Sequence, residues 1–161
     1  MENIKTHGTS IGWSNVLEMV HESRIDSVGL NERVNSLATR SIKKDSKLEA
    51  LNMIVSMCDL TTLEGEDTEG KISQMVAKAI KPNPLDSSVP SVAAVCVYPS
   101  LVDIAKKKVQ HSNVKVAAVS SYFPSGQVPM ESKLLDTKYA IDSGADEIDI
   151  VINRKAFLEG D

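Results

Sequence analysis

Two acidic residues inside an apolar run, Glu147 and Asp149 of Glu147-Ile148-Asp149-Ile150-Val151-Ile152, are the first candidates for chemistry. Side chains along a strand alternate between faces. Ile148, Ile150 and Ile152 therefore share one face, suited to the underside of packed helices, and Glu147, Asp149 and Val151 share the other. An ionised carboxylate in a buried parallel strand costs on the order of several kcal/mol unless it is paired or neutralised. Asp149 thus reads either as a structural ion pair at a wet sheet face, or as a carboxylate lining a barrel lumen and transferring protons. Asp59, in Asp59-Leu60-Thr61-Thr62-Leu63, closes an earlier strand at the end where α/β folds carry their ligand loops. Taken alone it serves equally well as a cap or turn residue. Cys96, also on a strand, is by itself a packing residue.

The elements that must position these groups follow from periodicity. Trp13, Leu17 and Val20 have helical spacing, as do Leu30, Val34, Leu37 and Ala38, which predicts a helical extension over residues 1–45. A helix beginning at Lys47 carries Leu48, Leu51 and Val55 on one face. From Ser56 the pattern alternates. Ser56–Leu60 reads as a short buried strand, and a helix capped by Thr68 presents Ile72, Met75, Val76 and Ile80. Pro82, Pro84 and Pro90 bracket a loop. Val92–Tyr98 is apolar on both faces, as a buried parallel strand is. Ser100 and Asp103 form a capping box for a helix with Leu101, Ile104, Ala105 and Val109. Val114–Ser120 is a third strand. Met130, Leu134, Thr137 and Ile141 mark the apolar face of the next helix, which Gly144 ends, and Glu147–Ile152 is a fourth strand. Strict alternation without a hairpin signal predicts right-handed βαβ units and a parallel sheet.

Composition excludes several classes of function. With 161 residues, 42% hydrophobic and 25% charged, the chain suits one globular domain. A net charge of −4, spread along the chain, gives no footprint for nucleic acid or an anionic membrane, and 4% aromatics cannot build a stacking platform. The start, Met1-Glu2-Asn3-Ile4-Lys5, lacks the apolar core of a signal peptide, and no run approaches the roughly 18 apolar residues of a span. Cys58 and Cys96 sit in apolar stretches and read as buried free thiols of a reducing compartment, so the expected location is cytoplasmic. Gly65-x4-Gly70-Lys71 is followed by Ile72, not Ser or Thr, so it is no phosphate-binding loop. His7, His21 and His111 are scattered, which leaves neither a metal cluster nor a Ser-His-Asp triad. Lys106-Lys107-Lys108 reads as a solvated helix end that complements the dipole.

From about Met57 to Asp161 the sequence resembles the deoxyribose-phosphate aldolase family, its eukaryotic members most closely. The resemblance is carried by Asp59-Leu60-Thr61-Thr62-Leu63, Ala93-Ala94-Val95-Cys96-Val97-Tyr98-Pro99 and Phe123-Pro124-Ser125-Gly126-Gln127. The most specific segment is Gly144-Ala145-Asp146-Glu147-Ile148-Asp149-Ile150-Val151-Ile152-Asn153-Arg154. It implies a (β/α)8 TIM barrel and a class I, metal-free and cofactor-free aldolase that cleaves 2-deoxyribose 5-phosphate to glyceraldehyde 3-phosphate and acetaldehyde. In that family a lysine forms a Schiff base whose iminium draws electrons from the breaking C–C bond. A strand aspartate, matched here by Asp149, passes protons through an ordered water. The residues matching those near the substrate are Asp59, Thr61 and Cys96.

The resemblance puts the Schiff-base lysine, its pKa-lowering partner lysine and the phosphate-binding backbone in the second half of the barrel. Arithmetic agrees on extent: four βα units in about 105 residues are half of a barrel of about 250. Lys115 lies at the wrong end of its strand, and Lys155 reads as solvated. The expectation is an extension over 1–45 followed by the N-terminal barrel half over 46–161, carrying the proton-transfer aspartate without the nucleophile and inactive alone. Unpaired outer strands and apolar lumen residues such as Val95 and Val97 would then favour a homo-oligomer or a complementary barrel half as partner. Two other readings compete. One is a non-catalytic half-barrel that binds sugar phosphate or regulates. The other is a small doubly-wound domain, whose strand order would reverse once.

Overall fold

A computed structural model describes Glu18, Glu22 and residues 25–160. The chain divides into two units, Met1–Lys43 and Lys44–Asp161. In the first, helix α1 (Ser27–Ala38) begins at Asp26, whose side chain accepts from the Gly29 N–H. It includes the spaced Leu30, Val34, Leu37 and Ala38. The spacing of Trp13, Leu17 and Val20 lies outside the described residues.

The second unit alternates strictly. Helix α2 (Lys44–Ser56) precedes β1 (Asp59–Thr61), α3 (Glu69–Ile80) and β2 (Ala94–Val97). Then come a 3-10 turn (Pro99–Leu101), α4 (Val102–Lys108), β3 (Lys115–Ser120), α5 (Met130–Asp142), β4 (Glu147–Ile150) and α6 (Arg154–Glu159). The strands are parallel in the order β1-β2-β3-β4. This sequential order, with the core helices packed on one face of the sheet, is that of consecutive units of a (β/α)8 barrel. A doubly-wound sheet would reverse order once and cover both faces.

The main core lies between helices and sheet. Ile72, Val76 and Ala79 of α3, Val102 and Ala105 of α4, and Ala140 of α5 pack with Val95, Val97, Val116 and Ala118 of the strands. Val95 and Val97 therefore face the helices and not the lumen as expected. A strand's period of two cannot put them on the same face as Cys96. The opposite face carries a small layer of Ala94, Cys96, Ala117 and Val119, with Leu63 and Tyr98 against it.

Other expectations are corrected locally. Helix α2 runs through Ser56, so β1 starts only at Asp59. Cys58 then falls in the intervening turn, exposed, its thiol donating to the Ile54 carbonyl at 3.2 Å. Ser100 caps nothing: a Pro99-led 3-10 turn feeds α4 without a side-chain cap. Lys106 is not merely solvated, because it pairs with Asp146 across the fold. Thr68 does cap α3, accepting from the Lys71 N–H.

The largest departure is the rotation of α5. Its inward side is Asp136, Thr137 and Ala140, while Leu134 is 63% and Ile141 54% exposed. Polar anchors set this rotation. The hydroxyls of Thr137 and Ser120 share a hydrogen bond of 2.6 Å, and Asp136 accepts from the Tyr122 N–H. β4 ends at Ile150, short of the expected Ile152; Ile148 packs on the core, but Ile150 is 64% exposed and Ile152, beyond the strand, 54%.

Candidate active site

Parity and register build the site. In β1, Asp59, Thr61 and the following Leu63 alternate with Leu60, which packs on the helix side. Thr61 lies opposite Cys96, Cys96 opposite Ala117, and Ala117 opposite Glu147. Two residues further on, Val119 lies opposite Asp149. The face away from the helices therefore carries two acidic residues on β4, one on β1, and a thiol between them.

These groups line one open concavity of about 430 Å³, formed with Asp59, Thr61, Leu63, Cys96, Val119, Phe123, Glu147 and Asp149. All four residues singled out from sequence, Asp59, Thr61, Cys96 and Asp149, are among them. No lysine is. Asp59, Thr61 and Asp149 are solvent-exposed, whereas Cys96 is buried beneath them. Burial pushes the Cys96 thiol up from its ordinary range, and the negative charges of Asp149 and Asp59 push it further. Its contact with the Thr61 hydroxyl and the Val119 N–H work in the opposite direction without reversing it. Cys96 is thus held as a neutral thiol, a poor nucleophile beside carboxylates.

Sequence reasoning did not name Leu63 or Phe123 as site residues. Leu63 was within reach, since Asp59, Thr61 and Leu63 share the period of two. Phe123 depends on a turn that periodicity cannot show. Ser121 and Tyr122 both adopt left-handed φ, +60° and +58°, and the Asp136 carboxylate accepting from the Tyr122 N–H at 3.2 Å holds them there. Gly126, with φ +66°, brings the same loop against the segment that follows β4, where an added Cβ would sit 3.0 Å from the Ile152 carbonyl oxygen.

The loop after β1 is pinned by another carboxylate. Asp67, whose side chain is 1% exposed, pairs with Lys71, accepts from the Thr62 hydroxyl at 2.9 Å and from the Glu64 N–H at 3.0 Å. The Lys71 bond holds its carboxyl below the usual range against the opposing effect of burial. Lys155 pairs with Glu159 on exposed α6, and Lys115, the first residue of β3, lies level with Ala94 and Asp59 without lining the concavity. Among the described residues no three His, Cys, Asp or Glu side chains group as a metal site, and no helix is long and apolar enough to cross a membrane.

Comparison with known proteins adds the ancestry. Residues 53–160 match the model of the family described as DeoC/LacD family aldolase. The chain is 39% identical over 134 residues to the human deoxyribose-phosphate aldolase, covering 76% of this chain and 42% of the relative. With the mouse deoxyribose-phosphate aldolase it shares 34% over 155 residues, 89% of this chain and 49% of the relative. Its fold superimposes on the tetrameric deoxyribose phosphate aldolase of Aeropyrum pernix with a TM-score of 0.53 and 25% identity, over 65% of this chain and 41% of that one. The chain thus spans half or less of the length of these relatives.

Proposed function

The chain belongs to the DeoC/LacD family of aldolases, and we propose that it forms the acid–base side of a class I aldolase site cleaving 2-deoxy-D-ribose 5-phosphate to glyceraldehyde 3-phosphate and acetaldehyde. The observation that carries this is the convergence of Asp59, Thr61, Cys96 and Asp149 on one concavity of the helix-free sheet face, with Thr61 ending β1 and Cys96 and Asp149 one residue before the C-terminal ends of β2 and β4. Barrel enzymes do their chemistry at that end. Asp149 is the proton donor and acceptor. Its exposed carboxylate can take a proton from the sugar hydroxyl as the C–C bond breaks and return one to the acetaldehyde carbon through a water. Asp59 and Thr61 hold substrate hydroxyls, and Cys96 closes the floor.

The Schiff-base lysine comes from outside these four units, since no lysine lines the concavity. The remaining βα units, on the same or another chain, complete the barrel and carry the phosphate site. On this proposal the enzyme works in the cytoplasm, in deoxyribonucleotide breakdown, and needs no cofactor. A non-catalytic half-barrel that only binds sugar phosphate is favoured by the same lack of a lysine. It is separated by whether supplying the other four βα units restores cleavage.

Borohydride reduction in the presence of acetaldehyde, read by intact mass, is expected to leave the 161-residue chain without a stable adduct. A single-site adduct on a strand lysine, Lys115 above all, would place the nucleophile within these residues and overturn the division of labour.

A further inference from the structure

The β3–β4 register decides which way Asp149 faces, and one side chain holds that register where the two strands begin to pair. Asp146 stands one residue before β4. Its N–H donates to the Val116 carbonyl at 2.8 Å, and its Oδ2 accepts from the Val116 N–H at 2.9 Å. One residue thus engages both main-chain groups of Val116. Its Oδ1 accepts from Lys106 Nζ at 2.5 Å, which ties the clamp to the end of α4. The Lys106 stem reaches it past Gly144, where φ is +100° and an added Cβ would touch that stem.

From Val116 the pairing runs Ala117 with Glu147, Ala118 with Ile148 and Val119 with Asp149. A slip of one residue would turn the Ile148 side chain from the helix-side core to the opposite face and turn Asp149 toward Val116, Ala118 and the helices. Apolar burial selects the register only weakly here. Strand β4 has four residues and pairs on one side, and of its isoleucines only Ile148 packs on the core. Partial burial by itself would raise the Asp146 carboxyl. The bonds from Lys106 and the Val116 N–H, with the charges of Lys106 and Lys115, outweigh it and keep the clamp ionised.

We propose that Asp146 is the positioning residue for Asp149: by gripping Val116 and anchoring to Lys106, it sets the register that turns the Asp149 carboxylate toward Cys96 and Asp59. This deepens the proposed function and rests on it only for the use made of Asp149.

The test uses the full chain with Cys58→Ser, which leaves Cys96 as its one thiol. The 13Cβ shift of Cys96, followed against pH, reports the nearby carboxylates without any turnover, so its outcome is independent of whether the aldolase reading holds. Asp149→Asn is expected to move the Cys96 titration down by roughly half a pH unit or more, because a neighbouring negative charge is lost. Asp146→Ala is expected to move it in the same direction and to add nothing in combination with Asp149→Asn. Asp146→Asn, which keeps an acceptor for the Val116 N–H, is expected to return it toward the parent value. An Asp146→Ala chain that melts cooperatively yet titrates like the parent overturns the proposal. Should Asp146→Ala not fold, Lys106→Met decides. Faster exchange of the Val116 amide with a partial downward move at Cys96 is expected, and no change in either overturns the clamp.

Discussion

Asp149 owes its exposure to a strand parity that any reader of the sequence can count, and its company to a register that cannot be counted. The isoleucines flanking it marked one face as apolar, so the odd carboxylate had to face the other way. That Asp59 and Cys96 would share its concavity follows from pairing across β1, β2, β3 and β4. In a barrel completed by the remaining four βα units, Asp149→Asn is expected to lower turnover about 10²–10⁴-fold, the usual worth of acid–base catalysis. Steady-state rates of 2-deoxyribose 5-phosphate cleavage measure it, and near-normal turnover would remove Asp149 from the mechanism. Cys96 is different. Its raised thiol pKa makes it a poor nucleophile near neutral pH, consistent with a role as the floor of the site.

At the level of elements, carboxylates pin the turns of the sheet: Asp67 the loop after β1, Asp136 the loop after β3, and Asp146 the entry to β4. Asp67 and Asp146 both hold folded-state pKa values below the ordinary range. Such groups stabilise the fold fully above their unfolded pKa of about 3.9, and the contribution is lost as pH falls through the lower folded values. Urea midpoints should therefore be insensitive to these two groups between about pH 5 and 7 and should fall below about pH 4. Asp67→Asn should flatten that acid limb while lowering the midpoint at neutral pH. An acid limb identical to the parent's would mean the pair with Lys71 contributes nothing. The sequence placed the helices α3 and α4 well because each has a clear apolar stripe and little else to satisfy. It misjudged α5, where the hydrogen bond between Thr137 and Ser120 at the end of β3, and that from the Tyr122 N–H to Asp136, outweighed the stripe of Met130, Leu134 and Ile141. Hydrophobic periodicity has no means of registering such polar anchors.

For the molecule as a whole, β1 and β4 each pair on one side only, and apolar side chains at Leu134, Ile141, Ile150 and Ile152 stand exposed. Open strand edges and apolar surface favour association. Sedimentation of the 161-residue chain is expected to show dimers or larger species, and a monodisperse monomer across micromolar concentrations would count against the half-barrel picture. The alternation of strands and helices, the parallel sheet and the acidic intruder in the fourth strand were all legible in the sequence. Each rests on local periodicity or on the cost of burying a charge, which act through neighbours along the chain. The face taken by Val95 and Val97, the exposure of Cys58, the rotation of α5 and the grip of Asp146 on Val116 were decided only in three dimensions. They depend on which strand lies beside which, at what register, and on hydrogen bonds between residues up to 40 positions apart.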